Sequence, residues 1–126
     1  MSKTVLVVDD QIGIRLLLQE VISQEGYTVE LAMNGQEALD KIKISLPDLI
    51  MLDYKLPIID GHALVKLLVE DGVQVPIVVM SGLPDQAEEK MKQYPIVETV
   101  IGKPFQLNDI RLLLKSIIDG KNEQAN

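Results

Sequence analysis

Cysteine is missing from this 126-residue sequence, and its only histidine is His62. Disulfide frameworks, thiolate zinc sites and cysteine nucleophiles are therefore excluded, and so is a metal site built from several histidines. Aromatic residues are scarce, with three Tyr, one Phe and no Trp, too few for a surface that stacks nucleic-acid bases. No apolar stretch approaches the roughly 18 residues that cross a membrane, so we expect a cytoplasmic protein without membrane contact.

Acidic residues dominate the charge of the chain. It has 19 Asp and Glu residues against 12 Lys and Arg, a formal net charge of -7, so we expect no direct nucleic-acid ligand. The length predicts a single domain, and 47% hydrophobic with 25% charged residues is the balance of a globular protein. We place the domain at residues 1–119 and predict a polar, frayed tail at 120–126.

Short apolar runs alternate with longer amphipathic stretches along the chain. Three runs of branched residues, Val5–Val8, Leu49–Leu52 and Ile77–Met80, are typical of strands buried on both faces of a parallel sheet. Tyr27–Leu31 and Ile96–Ile101 contain polar residues, which favours the two sheet edges. The predicted helices are Ile12–Glu25, Asn34–Ser45, Gly61–Glu70, a weaker Asp85–Gln93, and Gln106–Asp119. The pattern predicts an α/β fold of the (βα)5 type, a five-stranded parallel sheet of order 2-1-3-4-5 with helices on both faces.

Polar side chains stand where the predicted strands end. Asp9 and Asp10 follow the first strand, Asp53 the third, Ser81 the fourth and Lys103 the fifth. In this strand order, ligands bind beyond the carboxyl ends of the strands, at the switch point between the first and third. We therefore expect three carboxylates, one hydroxyl and one ammonium group to meet at one edge of the sheet.

Three neighbouring aspartates repel one another unless a cation compensates them. A hard divalent ion with oxygen ligands is the natural compensator, and Mg²⁺ suits a site of few carboxylates that also binds a phosphoryl group. The lysine and the hydroxyl would hold phosphoryl oxygens, which points to phosphoryl transfer with one carboxylate as the nucleophile. Taken alone, Asp9 and Asp10 are also compatible with a helix-capping loop without a metal.

The chain resembles the receiver domain of bacterial two-component response regulators across nearly its whole length. The resemblance lies in four segments in order: 5–10 with its two terminal aspartates, 52–61 around Asp53, 80–82 around Ser81, and 103–105, which reads Lys-Pro-Phe. Each segment is a weak signal, but four in order form a strong one. The resemblance implies a flavodoxin-like receiver fold that catalyses its own aspartyl phosphorylation and has no small-molecule metabolic substrate.

The resemblance also implies roles for the site residues. Asp53 would accept a phosphoryl group from a phosphohistidine on a partner. Asp10, Asp53 and the main-chain carbonyl of Lys55 would bind Mg²⁺, with Asp9 acting through water. Lys55 and Leu83, each two residues beyond a site residue, could shade the phosphoryl group from water.

Further implied features concern the fourth and fifth strands. Ser81 would donate a hydrogen bond to a phosphoryl oxygen, Lys103 would pair with Asp53 or its phosphate, and Pro104 would follow a cis bond. The family more often has threonine at the position of Ser81, and often an aromatic residue where this chain has Val100. The second departure argues against an output gated by an aromatic switch.

Within the family, the chain resembles single-domain receivers that relay phosphate in sporulation. The resemblance implies sensor histidine kinases and a histidine phosphotransferase as partners, and a monomer or weak dimer. We expect no effector domain after the fifth predicted helix, which would fit a relay. The alternatives are a motility-type receiver that binds a target when phosphorylated, and a flavodoxin-like binding module. The loop after the first strand lacks the Gly- and Ser-rich sequence of a phosphate cradle, which disfavours the module.

Helical spacing also predicts a partner surface. Ile14, Leu17, Leu18, Val21 and Ile22 form an apolar stripe on the first helix. Ile12 and Leu16 lie outside this stripe, on a polar face near the aspartates, and we expect them to contact the phosphodonor. The predicted partner-binding set is Gln11, Ile12, Gly13, Ile14, Leu16, Pro104 and Phe105. His62, at a predicted helix start, is expected to be solvated.

Overall fold

Five parallel strands form one sheet in the order β2-β1-β3-β4-β5 in the computed structural model, which describes residues 2–120. The elements are β1 Thr4–Val8, α1 Ile12–Gln24, β2 Thr28–Ala32, α2 Gly35–Ile44, β3 Leu49–Asp53, α3 Gly61–Glu70, β4 Ile77–Ser81, α4 Pro84–Met91, β5 Val97–Gly102 and α5 Leu107–Leu114, continued by a π-helical segment Lys115–Asp119. The predicted fold class and strand order are confirmed. None of the helices within residues 2–120 could span a membrane.

The central strands are buried and the edge strands are not, as their composition predicted. Every residue of β3 and β4 is buried, whereas β2 and β5 are mostly half-buried. A central parallel strand is covered by helices on both faces, so its side chains are apolar up to its carboxyl end. An edge strand has one open side and tolerates the polar residues Glu30, Glu98 and Thr99.

Two hydrophobic layers hold the helices on the sheet. Side chains alternate along β1, so Leu6 and Val8 face one layer while Val5 and Val7 face the other. The first layer is completed by α2, α3 and α4, and the second by α1, α5 and the π-helical segment. Both layers are apolar. Polar side chains of the central strands therefore lie at the carboxyl edge of the sheet.

Several local predictions need correction. The fourth helix spans Pro84–Met91 instead of Asp85–Gln93, since proline is well suited to the first helical turn. The last helix is not α-helical throughout, because it changes to π geometry at Lys115. Leu17, at the margin of the predicted apolar stripe, is 38% exposed. The predicted tail lies outside the described residues from 121 onward.

The expectation that His62 is solvated is wrong. Its side chain is half-buried, and Nε2 lies 3.1 Å from the hydroxyl of Tyr94, with the two rings in an edge-to-face arrangement. Tyr94 follows α4, so the contact joins residues 32 positions apart. A helix start viewed alone gives no sign of such a partner.

Close backbone contacts fix the loop between β3 and α3. Asp60 caps α3 by accepting a hydrogen bond from the Ala63 amide at 2.8 Å. The Gly61 amide donates to the Tyr54 carbonyl at 2.9 Å. A Cβ atom on Gly61 would lie 2.7 Å from the Asp53 carbonyl oxygen, so only glycine allows this approach.

We expect Gly61→Ala to destabilise the protein by about 2 kcal/mol, because the added methyl group would collide with backbone atoms that cannot move aside. Gly13→Ala is the matched control, since a Cβ on Gly13 meets nothing within 4 Å. In a helix that change should stabilise by about 0.5–1 kcal/mol. Urea denaturation of both variants measures the difference, and equal unfolding midpoints would contradict the packing argument.

Candidate functional site

A cavity of about 290 Å³ opens at the carboxyl edge of the sheet. It is lined by Asp10, Gln11, Asp53, Lys55, Ser81, Gly82, Leu83 and Lys103. These residues come from the ends of β1, β3, β4 and β5, which the parallel arrangement brings to one edge. We call this cavity the acidic pocket.

The three aspartates lie together in and behind the acidic pocket. Each of Asp9, Asp10 and Asp53 offers a carboxylate oxygen, and these oxygens lie within 4.8 Å of one another. Asp9 is fully buried and Asp53 is 7% exposed, whereas Asp10 faces solvent. Oxygen ligands around one hard divalent ion are roughly 3–5 Å apart, so this group of donors could hold such an ion.

Lys103 bridges two of the carboxylates. Its Nζ lies 2.7 Å from Asp9 Oδ2 and 3.1 Å from Asp53 Oδ2, and 3.4 Å from the side-chain oxygen of Gln11. Burial alone would lower the pKa of the Lys103 ammonium, but hydrogen bonds and charge from Asp9 and Asp53 outweigh it and raise this pKa. Lys103 therefore stays protonated and holds the ends of β1, β3 and β5 together.

The ionised carboxylate of Asp53 is unfavourable despite this bridge. Burial raises the pKa of its carboxyl group, and the charge of Asp9 raises it further, while Lys103 acts in the opposite direction. The ionised carboxylate is therefore destabilised relative to an aspartate in water. A further cation would stabilise this carboxylate. Conversion to a derivative whose negative charge lies farther from Asp9 would do the same.

The loop after β1 is fixed by backbone and arginine contacts. Asp9 Oδ1 accepts a hydrogen bond from the Gln11 amide at 2.9 Å, and Arg15 donates to the Asp9 carbonyl at 2.7 Å. Gln11 is the residue that precedes α1, and no side chain caps this helix. The alternative of Asp9 and Asp10 as capping acids is therefore wrong. Nothing in the sequence pattern singled out Arg15, which lies in the first turn of α1, six residues beyond Asp9.

Ser81 and Lys55 complete the opposite wall of the acidic pocket. Ser81 is 5% exposed at the end of β4, and its Oγ accepts a hydrogen bond from the Leu83 amide at 3.0 Å. The Lys55 amide lies 3.4 Å from Asp53 Oδ1. Leu83 is 51% exposed at the mouth. Gly82, which the sequence analysis did not single out, also lines the pocket.

The predicted partner-binding residues divide into two groups. Ile12 and Leu16 are 65% and 54% exposed, and Gly13 and Pro104 are also exposed. Ile14 and Phe105 are half-buried and pack partly on the core under α1 and α5. Gln11 is exposed and lines the acidic pocket. The Lys103–Pro104 bond is cis, as the resemblance implied.

A parallel α/β sheet with an acidic group that could hold a cation at its switch point, and a lysine beside it, is suited to metal and phosphoryl chemistry. The chain belongs to the response regulator receiver domain family, which it matches over residues 5–115. It is thus a receiver domain of a two-component response regulator.

Three relatives illustrate the range of the family. Sporulation initiation phosphotransferase F of Bacillus subtilis is 36% identical over 97% of this chain and 98% of its own length. The alkaline phosphatase synthesis transcriptional regulatory protein PhoP of Bacillus subtilis is 33% identical over 94% of this chain, but the match spans 49% of that protein. The solved receiver domain of NtrX from Brucella abortus has a TM-score of 0.83 at 28% identity, covering 91% of this chain and 98% of that one.

We expect Lys103→Met to lower the free energy of unfolding by about 3 kcal/mol, because it leaves the buried Asp9 and Asp53 charges without their cation. Lys92→Met is the control, since the Lys92–Glu89 ion pair at 2.9 Å is solvent-exposed and should contribute about 0–1 kcal/mol. Thermal and urea unfolding without divalent ions measures both. Equal losses in the two variants would refute the structural role of the bridge.

Proposed function

We propose that this receiver domain is a phosphorelay intermediate that takes a phosphoryl group from a partner phosphohistidine onto Asp53 and passes it to a histidine phosphotransferase. The observation that carries the proposal is the placement of Asp53, buried and destabilised as an anion, against the Lys103 ammonium at 3.1 Å. The domain would comprise residues 1–119, act in the cytoplasm as a monomer or weak dimer, and receive phosphate from sensor histidine kinases.

Asp53 is the nucleophile in this reaction. One of its carboxylate oxygens attacks phosphorus, so a P–O bond forms as the P–N bond to the partner imidazole breaks. The imidazole nitrogen keeps the electron pair of the broken bond, and the phosphoryl group remains on Asp53 as an acyl phosphate. Onward transfer reverses these steps with a second imidazole.

Lys103 and Ser81 act on the phosphoryl oxygens. Both side chains line the acidic pocket with Asp53, so an ammonium and a hydroxyl donor face the place where negative charge develops. Ser81 Oγ already accepts from the Leu83 amide at 3.0 Å, which leaves its proton free to point into the pocket. Lys55 and Leu83 would shade the acyl phosphate from water.

Mg²⁺ is the cation that this donor set fits best among common ions, because few carboxylates and one carbonyl leave room for waters and phosphoryl oxygens. Asp10, Asp53 and the Lys55 carbonyl would bind it directly. Asp9 would act through water, because its two oxygens already bind Lys103 and the Gln11 amide. When bound, the ion would neutralise charge on the transferring phosphoryl group.

The relay role is favoured over an output role by two observations. Sporulation initiation phosphotransferase F is 36% identical over 97% of this chain, and PhoP is 33% identical over 94% of it. Val100 in β5 is half-buried against the core, so no aromatic ring at this position could move between inward and outward states. Both support transfer at the acidic pocket over a distant switch.

We expect Asp53→Asn to abolish labelling by radioactive acetyl phosphate, because the amide cannot act as the nucleophile. Labelling of the unaltered protein should fall to background when the divalent ion is chelated. Asp85→Asn, on the exposed start of α4, is the control and should be labelled normally. Persistent labelling of the Asp53 variant would place the acceptor elsewhere.

We expect Leu16→Ala to weaken partner docking, because a 54% exposed leucine on α1 can be covered by a partner helix. Transfer is measured from a panel of purified histidine kinases and phosphotransferases, each labelled on its histidine. For the fastest donor, KM should rise about tenfold. Leu46→Ala, 62% exposed at the opposite edge of the sheet, is the control. An unchanged KM in the Leu16 variant would contradict this docking role.

A further inference from the structure

A second cavity, larger than the acidic pocket, opens at the opposite edge of the sheet. Its volume is about 430 Å³, against about 290 Å³ for the acidic pocket. One wall is the end of α3 and its loop to β4, with Val69 and Val73, and the other is the segment that leads into β5, with Pro95 and Ile96. We call it the amino-edge cavity, because it lies where β4 and β5 begin.

The walls of the amino-edge cavity are mostly apolar and are fixed by the fold. Val73 and Ile96 pack on the core, and the Ile77 amide donates a hydrogen bond to the Ile96 carbonyl at 3.0 Å. The Val73 amide donates to the Leu68 carbonyl at 3.0 Å, which closes the end of α3. A preformed apolar cavity of this size can take an apolar side chain with little reorganisation.

The start of β5 carries an irregularity beside this cavity. Ile77 pairs with Val97 and Val78 pairs with Thr99, so Glu98 is an extra residue in β5. An extra residue of this kind re-aims a side chain away from the regular alternation of the strand. Glu98 lines the cavity, which adds an acidic residue to its β5 wall.

The end of α3 adds two exposed acidic residues, Glu70 and Asp71, directly before the loop that lines the cavity. A helix C-terminus carries partial negative charge and favours basic residues, yet the last turn of α3 has none. Within residues 2–120, no ion pair reaches Glu70 or Asp71. Helix α1 also lacks a basic residue in its last turn, but there Glu25 pairs with Arg111 at 3.9 Å. The negative charge at the end of α3 is therefore left uncompensated by the fold.

We propose that the amino-edge cavity is a docking site for a basic segment of a partner protein. An apolar side chain of that segment enters the cavity, and flanking Lys or Arg side chains meet the acidic residues on both sides. Charge complementarity decides the occupant, because residues 67–76 and 93–99 contain Glu70, Asp71 and Glu98 but no Lys, Arg or His. The proposal does not depend on the proposed phosphoryl transfer.

The spacing of the acidic residues favours a peptide over a small cation. Glu70 and Asp71 lie on the α3 side of the cavity and Glu98 lies on the β5 side. A ligand that meets both sides and also fills the apolar centre must span the cavity. A peptide with one apolar side chain between basic neighbours does this, whereas a single ammonium group meets one side only.

Two synthetic peptides with blocked ends, Lys-Lys-Leu-Lys-Lys and Lys-Lys-Ser-Lys-Lys, separate the apolar part of binding from the charged part. Isotope-labelled full-length protein is saturated with Mg²⁺, so that the acidic pocket does not attract the peptides, and is titrated with each while amide NMR shifts are recorded. We expect the leucine peptide to shift amides at 72–74 and 96–98. The serine peptide should bind about tenfold more weakly, because it buries no apolar side chain. Raising the salt from about 50 mM to about 500 mM should weaken both.

Paired charge variants separate this site from a general attraction to an acidic protein. Glu70→Gln combined with Asp71→Asn should weaken binding of the leucine peptide about tenfold. Glu20→Gln combined with Asp40→Asn is the control, because it removes the same charge from exposed positions on α1 and α2. The control should change the dissociation constant by less than about twofold, since these charges are screened from the cavity by salt.

Val69→Ser tests the apolar wall, with Leu67→Ser on the same helix as its control. Val69 is 41% exposed and lines the cavity, whereas Leu67 is 37% exposed and does not line it. We expect Val69→Ser to weaken binding of the leucine peptide about fivefold and Leu67→Ser to leave it unchanged. Amide shifts away from each substitution should match those of the unaltered protein, which shows that the variants are folded.

Four outcomes would overturn the proposal. The two peptides bind equally well, or their shifts are confined to residues around the acidic pocket. Amides at 72–74 shift with protein concentration in the absence of peptide, which would make a second copy of this chain the occupant. Butylammonium, a small organic cation, binds the cavity as tightly as the leucine peptide.

Discussion

The bridge of Lys103 between Asp9 and Asp53 is the interaction on which the site depends. It draws one ammonium group between two carboxylates that would otherwise repel each other behind a mostly buried surface. In doing so it ties the carboxyl ends of β1, β3 and β5 to one another. The bridge leaves the cluster with more negative than positive charge, so the acidic pocket retains an affinity for a cation and for a group that carries charge away from Asp53.

The rest of the fold serves to hold these charges in place. Two apolar layers, one on each face of the sheet, bury the central strands, whose polar side chains stand only at their carboxyl ends. Glycine at position 61 lets α3 start against the Asp53 backbone, which brings the loop after β3 tightly around the pocket.

Much of this arrangement could be predicted from residue patterns. Apolar runs identified the three central strands, polar residues in Tyr27–Leu31 and Ile96–Ile101 identified the edges, and strand-end residues predicted the acids, hydroxyl and lysine of the pocket. Helix ends were less accurate, because the start at Pro84 and the π geometry after Leu114 depend on local packing. Leu17 was misplaced because a residue at the margin of an apolar stripe is buried or exposed according to its neighbours.

Local chemistry in the chain was sufficient to predict the strand order and the residue types at the carboxyl edge, because periodicity and charge act over short distances. Only the tertiary structure decided which groups pair. Lys103 lies closer to Asp9, 94 positions away, than to Asp53, Arg15 holds the Asp9 carbonyl, and His62 finds Tyr94. Ile58 has a φ of 71°, which no local preference of isoleucine favours.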